Sequence, residues 1–166
     1  MADAVPAPLD TPTDLNRNDT RSVADGLNLV LADSFALYLK TKNYHWHVSG
    51  PHFRDYHLML DDQATQILGT TDAIAERVRK TGNTTLRSIG DIQRRQSIRD
   101  DDRDFVPPHE MLATLREDNL KLVEVIRDAR ERAEDAKDTA TSSIADEWID
   151  QAEERAWFLF EASRKG

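Results

Sequence analysis

The chain has 166 residues, with 22 Lys plus Arg against 31 Asp plus Glu, a formal charge of -9, and only six Gly and six Pro. That length fits one domain, the mix of 39% hydrophobic and 32% charged residues fits a helix-rich globular fold, and the net acidity has the wrong sign for a generic nucleic-acid binder. The absence of cysteine excludes disulfides, thiol nucleophiles and Cys-ligated zinc or iron-sulfur centres, so any metal must be held by N and O donors.

Residues 1–19 carry Pro6, Pro8 and Pro12 with Asp3, Asp10, Asp14 and Asp19, hold no lysine, and read as a flexible tail ahead of a domain over 20–166. From about Thr20, Leu27, Val30, Leu31, Phe35, Tyr38 and Leu39 recur at three- and four-residue spacing, which predicts an amphipathic helix to about Val48. Gly50-Pro51 interrupts it, and Pro51 suits the first turn of a second helix. That helix runs through Leu58, Leu60, Ile67, Leu68, Ile74 and Val78 to Gly82-Asn83, roughly 45 Å at 1.5 Å per residue. Residues 83–106 form a connection whose Arg and Asp side chains balance, read as a solvated linker with one short helix near Ile89 to Ile98. After Pro107-Pro108 a third helix carries Met111, Leu112, Leu115, Leu122, Val123 and Ile126 to about Glu134. Asp138 caps a fourth, through Ile144, Trp148, Ile149, Ala152, Ala156, Leu159 and Phe160. Four long helices with a crossover between the second and third predict an all-α, ferritin-like four-helix bundle with a short extra helix in that connection. Apolar runs such as Leu29-Val30-Leu31 fall short of the roughly 18 residues of a membrane span, and Asp3 with the early prolines breaks a signal-peptide pattern. The expectation is a cytoplasmic protein with no membrane partner.

On the second helix, His57, Asp61, Asp72 and Glu76 fall at about 0°, 40°, 60° and 100° when successive residues are turned by 100°, a single stripe of its surface. Metal ligands must reach one ion at about 2 Å or two ions about 4 Å apart, yet Asp61 and Asp72 are eleven residues, or roughly 16 Å, apart along the axis. If both pairs serve one site, two copies crossing antiparallel near Gln66 and Ile67 bring His57 and Asp61 of one subunit to Asp72 and Glu76 of the other. The alternative is two unrelated surface pairs. His45 continues the apolar stripe of Leu27, Leu31 and Tyr38 and faces the packed side, as a core histidine or as a further ligand. Two imidazoles and three carboxylates suit iron, manganese or zinc, and not copper(I).

The stretches His45-Trp46-His47-Val48-Ser49-Gly50, His57-Leu58-Met59-Leu60-Asp61 and Asp72-Ala73-Ile74-Ala75-Glu76-Arg77 resemble, in order and spacing, the signature regions of the Dps mini-ferritins, DNA-binding proteins from starved cells. The resemblance spans about residues 20–163. It implies a hollow dodecamer built from two-fold dimers, with ferroxidase centres at the two-fold interfaces. His45, His57 and Asp61 would come from one subunit, and Asp72 and Glu76 from its neighbour. It further implies that Fe(II) is oxidised by hydrogen peroxide, more slowly by dioxygen, and stored as ferric mineral, protecting against oxidative stress; zinc or manganese could substitute for iron. Val48, Tyr56 and Thr71 depart from the family's usual residues without removing a ligand, and no Glu-x-x-His motif is present to build a site inside one bundle.

Lysine-rich N-terminal tails support DNA binding in some members, whereas this tail is acidic and only Arg164 and Lys165 mark the C-terminus, which weighs against direct DNA compaction. A nucleoid-architectural DNA-condensing protein with a secondary metal site is the alternative function, and a helical interaction scaffold a third. Trp46 and Trp157 fit either electron donors beside the centre or plain core. His47 and His52 read as an auxiliary metal site or as solvent-exposed or locally hydrogen-bonded histidines, and Asp135, Asp138 and Asp146 as acids near a pore or as a cap and solvated face.

Overall fold

The computed structural model describes residues 5–164, so Asp3 and Lys165 lie outside the described residues. Its helices are α1 (Arg17–His47), α2 (Phe53–Lys80), α3 (Ile89–Arg95), α4 (Pro108–Asp135) and α5 (Thr139–Ser163), preceded by a 3-10 turn at Ala7–Leu9. This is the four-helix bundle with one short extra helix that the periodicity predicts. Capping side chains move the boundaries. Asn16 accepts hydrogen bonds from the amides of Asn18 and Asp19, so α1 starts three residues before Thr20. Pro51 falls in the turn ahead of α2 and not in its first helical turn. Ser88 caps α3 through the Asp91 amide, and Asp138 caps α5 through the Thr141 amide.

Three sets of hydrogen bonds give the direction of the crossover. Near the start of α1, Asn28 donates to the Thr84 carbonyl and accepts from the Thr85 hydroxyl. At its middle, Asp33 accepts from the Ser97 and Ile98 amides at 2.6 and 3.0 Å and from the Ser97 hydroxyl at 2.7 Å. Near its end, Asn43 donates to the Asp101 carbonyl and Tyr44 to the Asp101 carboxylate. The connection therefore runs the length of α1, and α4 begins where α2 began. Turning its Ser97 and Ile98 amides to Asp33 also explains why α3 stops at Arg95 and not at Ile98. Much of this segment is pinned to the bundle, so the solvated-linker reading holds only for its outward-facing arginines.

α1 packs against α2 and α4, and α4 against α5. Val23, Leu27, Val30, Leu31, Leu60, Ile67, Ile74, Leu112, Leu115, Ile126 and Leu159 form the buried core. Gly26 lets α1 approach α4 closely, since a Cβ there would lie 3.1 Å from Ala129. Gly82 adopts φ +79°, and a Cβ would meet the Thr11 carbonyl at 2.6 Å, so the chain around Thr11 lies back against the end of α2. Among the described residues only α1 is long and apolar enough to cross a membrane, and most of its apolar stretch is buried inside the bundle.

α2 and α5 are joined near both ends and across the middle. Arg77 pairs with Asp138 at 2.6 Å, and the Tyr56 hydroxyl donates to the Ala162 carbonyl at 3.1 Å. Between these points lies a polar belt, in which Arg155 donates to Asn119 and Gln66, each at 2.7 Å, and Gln63 donates to the Arg155 carbonyl.

Asp33 is fully buried and holds two backbone amides that have no other acceptor in the crossover. Asp33→Ala should destabilise the protein by about 3 kcal/mol. Amide exchange should accelerate first at Ser97 and Ile98; exchange there unchanged from the parent would show that Asp33 does not hold the crossover.

Candidate metal centre

The turn between α1 and α2 folds His45, at the end of the first helix, onto His57, in the second turn of the next. The two side chains bond reciprocally: His45 Nδ1 lies 2.7 Å from the His57 carbonyl and His57 Nδ1 lies 2.8 Å from the His45 carbonyl. A carbonyl can only accept, so each Nδ1 carries the proton and each Nε2 keeps its lone pair for a metal. The rings stack with centroids 3.8 Å apart at 21°, and Phe53 packs 5.0 Å from the His57 ring. His45 is buried, so its orientation is held by packing as well as by the hydrogen bond.

One turn further along α2, Asp61 brings Oδ1 to 3.9 Å from His45 Nε2. The same oxygen lies 2.7 Å from Lys42 Nζ, a partner that the sequence reading missed. Its signal was the position of Lys42 three residues before His45, on the same face of α1. The hydrogen bond from Lys42 holds the Asp61 carboxyl below the usual carboxylate range, against partial desolvation. The group thus stays ionised at neutral pH, with its charge already partnered.

Asp72 and Glu76 stand apart from this cluster. α2 is continuous, which places them roughly 16 Å and more along its axis from Asp61. Asp72 is exposed, and Glu76 pairs with Lys80 at 3.2 Å on the surface. The chain therefore brings His45, His57 and Asp61 together and leaves Asp72 and Glu76 outside. Among the described residues, no group of three or more His, Asp and Glu side chains could hold a metal ion within one chain. The bundle interior offers no carboxylate cage either, because Gln63, Gln66, Asn119 and the Arg155 guanidinium fill its polar layer.

The core reading of the two tryptophans is overturned. Trp46 and Trp157 are 57% and 60% exposed. Trp46 sits beside the half-site, with Lys42 Nζ 5.8 Å from its ring. Phe160, expected on the packed face of α5, is also exposed, flanked by Arg116 and Arg164. The amphipathic stripe misassigns these positions because residues at its margins satisfy the same spacing without reaching the core. His47 is exposed and bonded to Asn43, and His52 is exposed against Tyr56. Asp138 is buried as a cap and as the partner of Arg77, and Asp146 pairs with Arg130. Asp135 is exposed.

A model of the ferritin-like domain matches residues 24–165, and the chain belongs to that family. It is 32% identical over 149 residues to a DNA protection during starvation protein from Agrobacterium fabrum, covering 90% of this chain and 92% of the relative. It is also 33% identical over 146 residues, covering 87% of this chain and 82% of the relative, to an uncharacterised low-temperature-induced protein from Nostoc sp.. Among solved structures, DpsC from Streptomyces coelicolor superposes with a TM-score of 0.90 at 26% identity, covering 94% of this chain and 91% of that one. Within the ferritin-like proteins, this chain is a member of the Dps family.

A divalent ion must displace Lys42 to use both Asp61 oxygens. In the assembled protein, Lys42→Met should tighten anaerobic Zn(II) binding about tenfold at neutral pH, as one competing ammonium is lost. The Asp61 pKa should rise towards the ordinary carboxylate value. Calorimetric titration checks the first and carboxyl NMR the second; unchanged Zn(II) affinity would show that Lys42 does not compete.

Proposed function

We propose that this protein is a ferroxidase and iron-storage subunit whose centres are dinuclear and shared between neighbouring copies. The observation that carries this reading is the reciprocal His45–His57 pair, which presents two Nε2 lone pairs beside the Asp61 carboxylate yet stops short of a closed site. Asp72 and Glu76, on the same stripe of α2, are the donors left over. An antiparallel crossing of two α2 helices about a two-fold axis near Gln66 and Ile67 would bring the partner subunit's Asp72 and Glu76 to His45, His57 and Asp61. Leu39 and Trp46 on α1 and Leu68 on α2 are large, apolar and exposed around this stripe, which supports its burial against a second copy.

Iron is the substrate of this reaction. The imidazoles give Fe(II) neutral donors, and the carboxylates favour Fe(III) more strongly than Fe(II), which lowers the cost of losing an electron. Two Fe(II) ions then supply the two electrons that reduce one hydrogen peroxide, with two protons, to two waters, and no hydroxyl radical is released. Dioxygen serves as the slower oxidant. Lys42 leaves Asp61 as the metal enters, and the ferric product is stored as mineral inside a dodecameric cage. Protection of the cell then rests on removing iron and peroxide together, in the cytoplasm, and does not require DNA contact from a chain of net charge -9.

Asp61→Ala and Glu76→Ala should each lower the rate of peroxide-driven Fe(II) oxidation at least tenfold while the assembly keeps its size. Stopped-flow absorbance on size-fractionated protein, after anaerobic Fe(II) loading, measures it. Wild-type rates in either assembled variant would remove that residue from the centre.

A further inference from the structure

Between the two end contacts of α2 and α5 lies a cleft of about 370 Å³ lined by Met59, Asp62, Gln63, Gln66, Glu154, Arg155 and Phe158. Arg155 is 4% exposed, yet no carboxylate pairs with it. Its Nε and Nη1 are held by the neutral amide oxygens of Asn119 and Gln66, while Nη2 makes no hydrogen bond to the described residues. Burial pulls the guanidinium down to about 10 against the opposing pull of the Glu154 charge, and it stays fully cationic at neutral pH. The buried cation is hydrogen-bonded only by neutral partners and keeps one edge free for an anion.

Asp62 and Glu154 are exposed at the same cleft, and neither forms an ion pair among the described residues. Two carboxylates would repel a bare anion, and the guanidinium would repel a bare cation. A metal–oxyanion pair satisfies both, with the anion forked by Arg155 and the metal held by the acids. We infer that this cleft binds a phosphate-class oxyanion on Arg155, bridged by a metal cation to Asp62 and Glu154. The site uses none of the five residues of the proposed oxidation centre, although Asp62 follows Asp61 in α2.

Equilibrium dialysis of the assembled full chain with radiolabelled inorganic phosphate, with and without Mn(II), tests the inference. The parent should bind about one phosphate per chain with Mn(II), and at least roughly tenfold more weakly without it. Arg155→Gln should lose this binding. The Asp62→Asn, Glu154→Gln double variant should lose the Mn(II) enhancement. His57→Ala should bind phosphate as the parent does, which separates failure here from failure of the oxidation centre. Absence of saturable binding in the parent, as when a neighbouring subunit fills the cleft, would overturn the inference, and so would parental binding by assembled Arg155→Gln. If Arg155→Gln does not assemble, the double variant at its two exposed positions decides: an Mn(II) enhancement equal to the parent's contradicts the bridging metal.

Discussion

A straight helix cannot bend two of its own carboxylates, eleven residues apart, onto one metal ion. That constraint governs how this chain is read. α2 carries His57 and Asp61 near one end and Asp72 and Glu76 nearer the other, and nothing in its continuous course from Phe53 to Lys80 brings them together. The hairpin with α1 adds His45 to the first pair only. What the fold brings together is His45, His57 and Asp61, while Asp72 and Glu76 stand further along the same stripe of α2.

The half-site is ordered in advance by ordinary backbone chemistry. Each imidazole spends its Nδ1 proton on the other residue's carbonyl, so the tautomers and ring planes are set by the protein alone. Lys42 then neutralises Asp61, which keeps an exposed carboxylate beside two imidazoles from standing uncompensated. Inside the bundle the solution is the opposite one. Where other ferritin-like proteins use facing carboxylates, this chain places a guanidinium among amides, so its polar layer holds no cage of facing carboxylates.

Much of this was legible from residue order. The apolar spacing located four long helices, Asp138 announced the last of them, and the separation of Asp61 from Asp72 implied that one chain does not bring them together. Boundaries were less legible because caps such as Asn16, and acceptors such as Asp33 that capture amides 64 residues away, act through side chains that carry no periodicity. Lys42 and Arg155 were missed for a related reason. A lysine or arginine on a helix usually faces water, and only the packing reveals one committed to a carboxylate and another sealed into the core. Trp46, Trp157 and Phe160 erred the other way, since an exposed aromatic at the edge of an apolar stripe looks like a core residue until a subunit surface is drawn.

The shared-centre account is tested most directly by subunit complementation. Asp61→Ala and Glu76→Ala chains, each inactive alone, are unfolded, mixed in equal amounts and reassembled, and peroxide-driven Fe(II) oxidation is measured per chain. In a random mixture half of the two-fold dimers are hybrids, and each hybrid holds one intact and one doubly defective centre, so activity should return to about one quarter of the parent value. A mixture no more active than its components, at full assembly, would contradict the account.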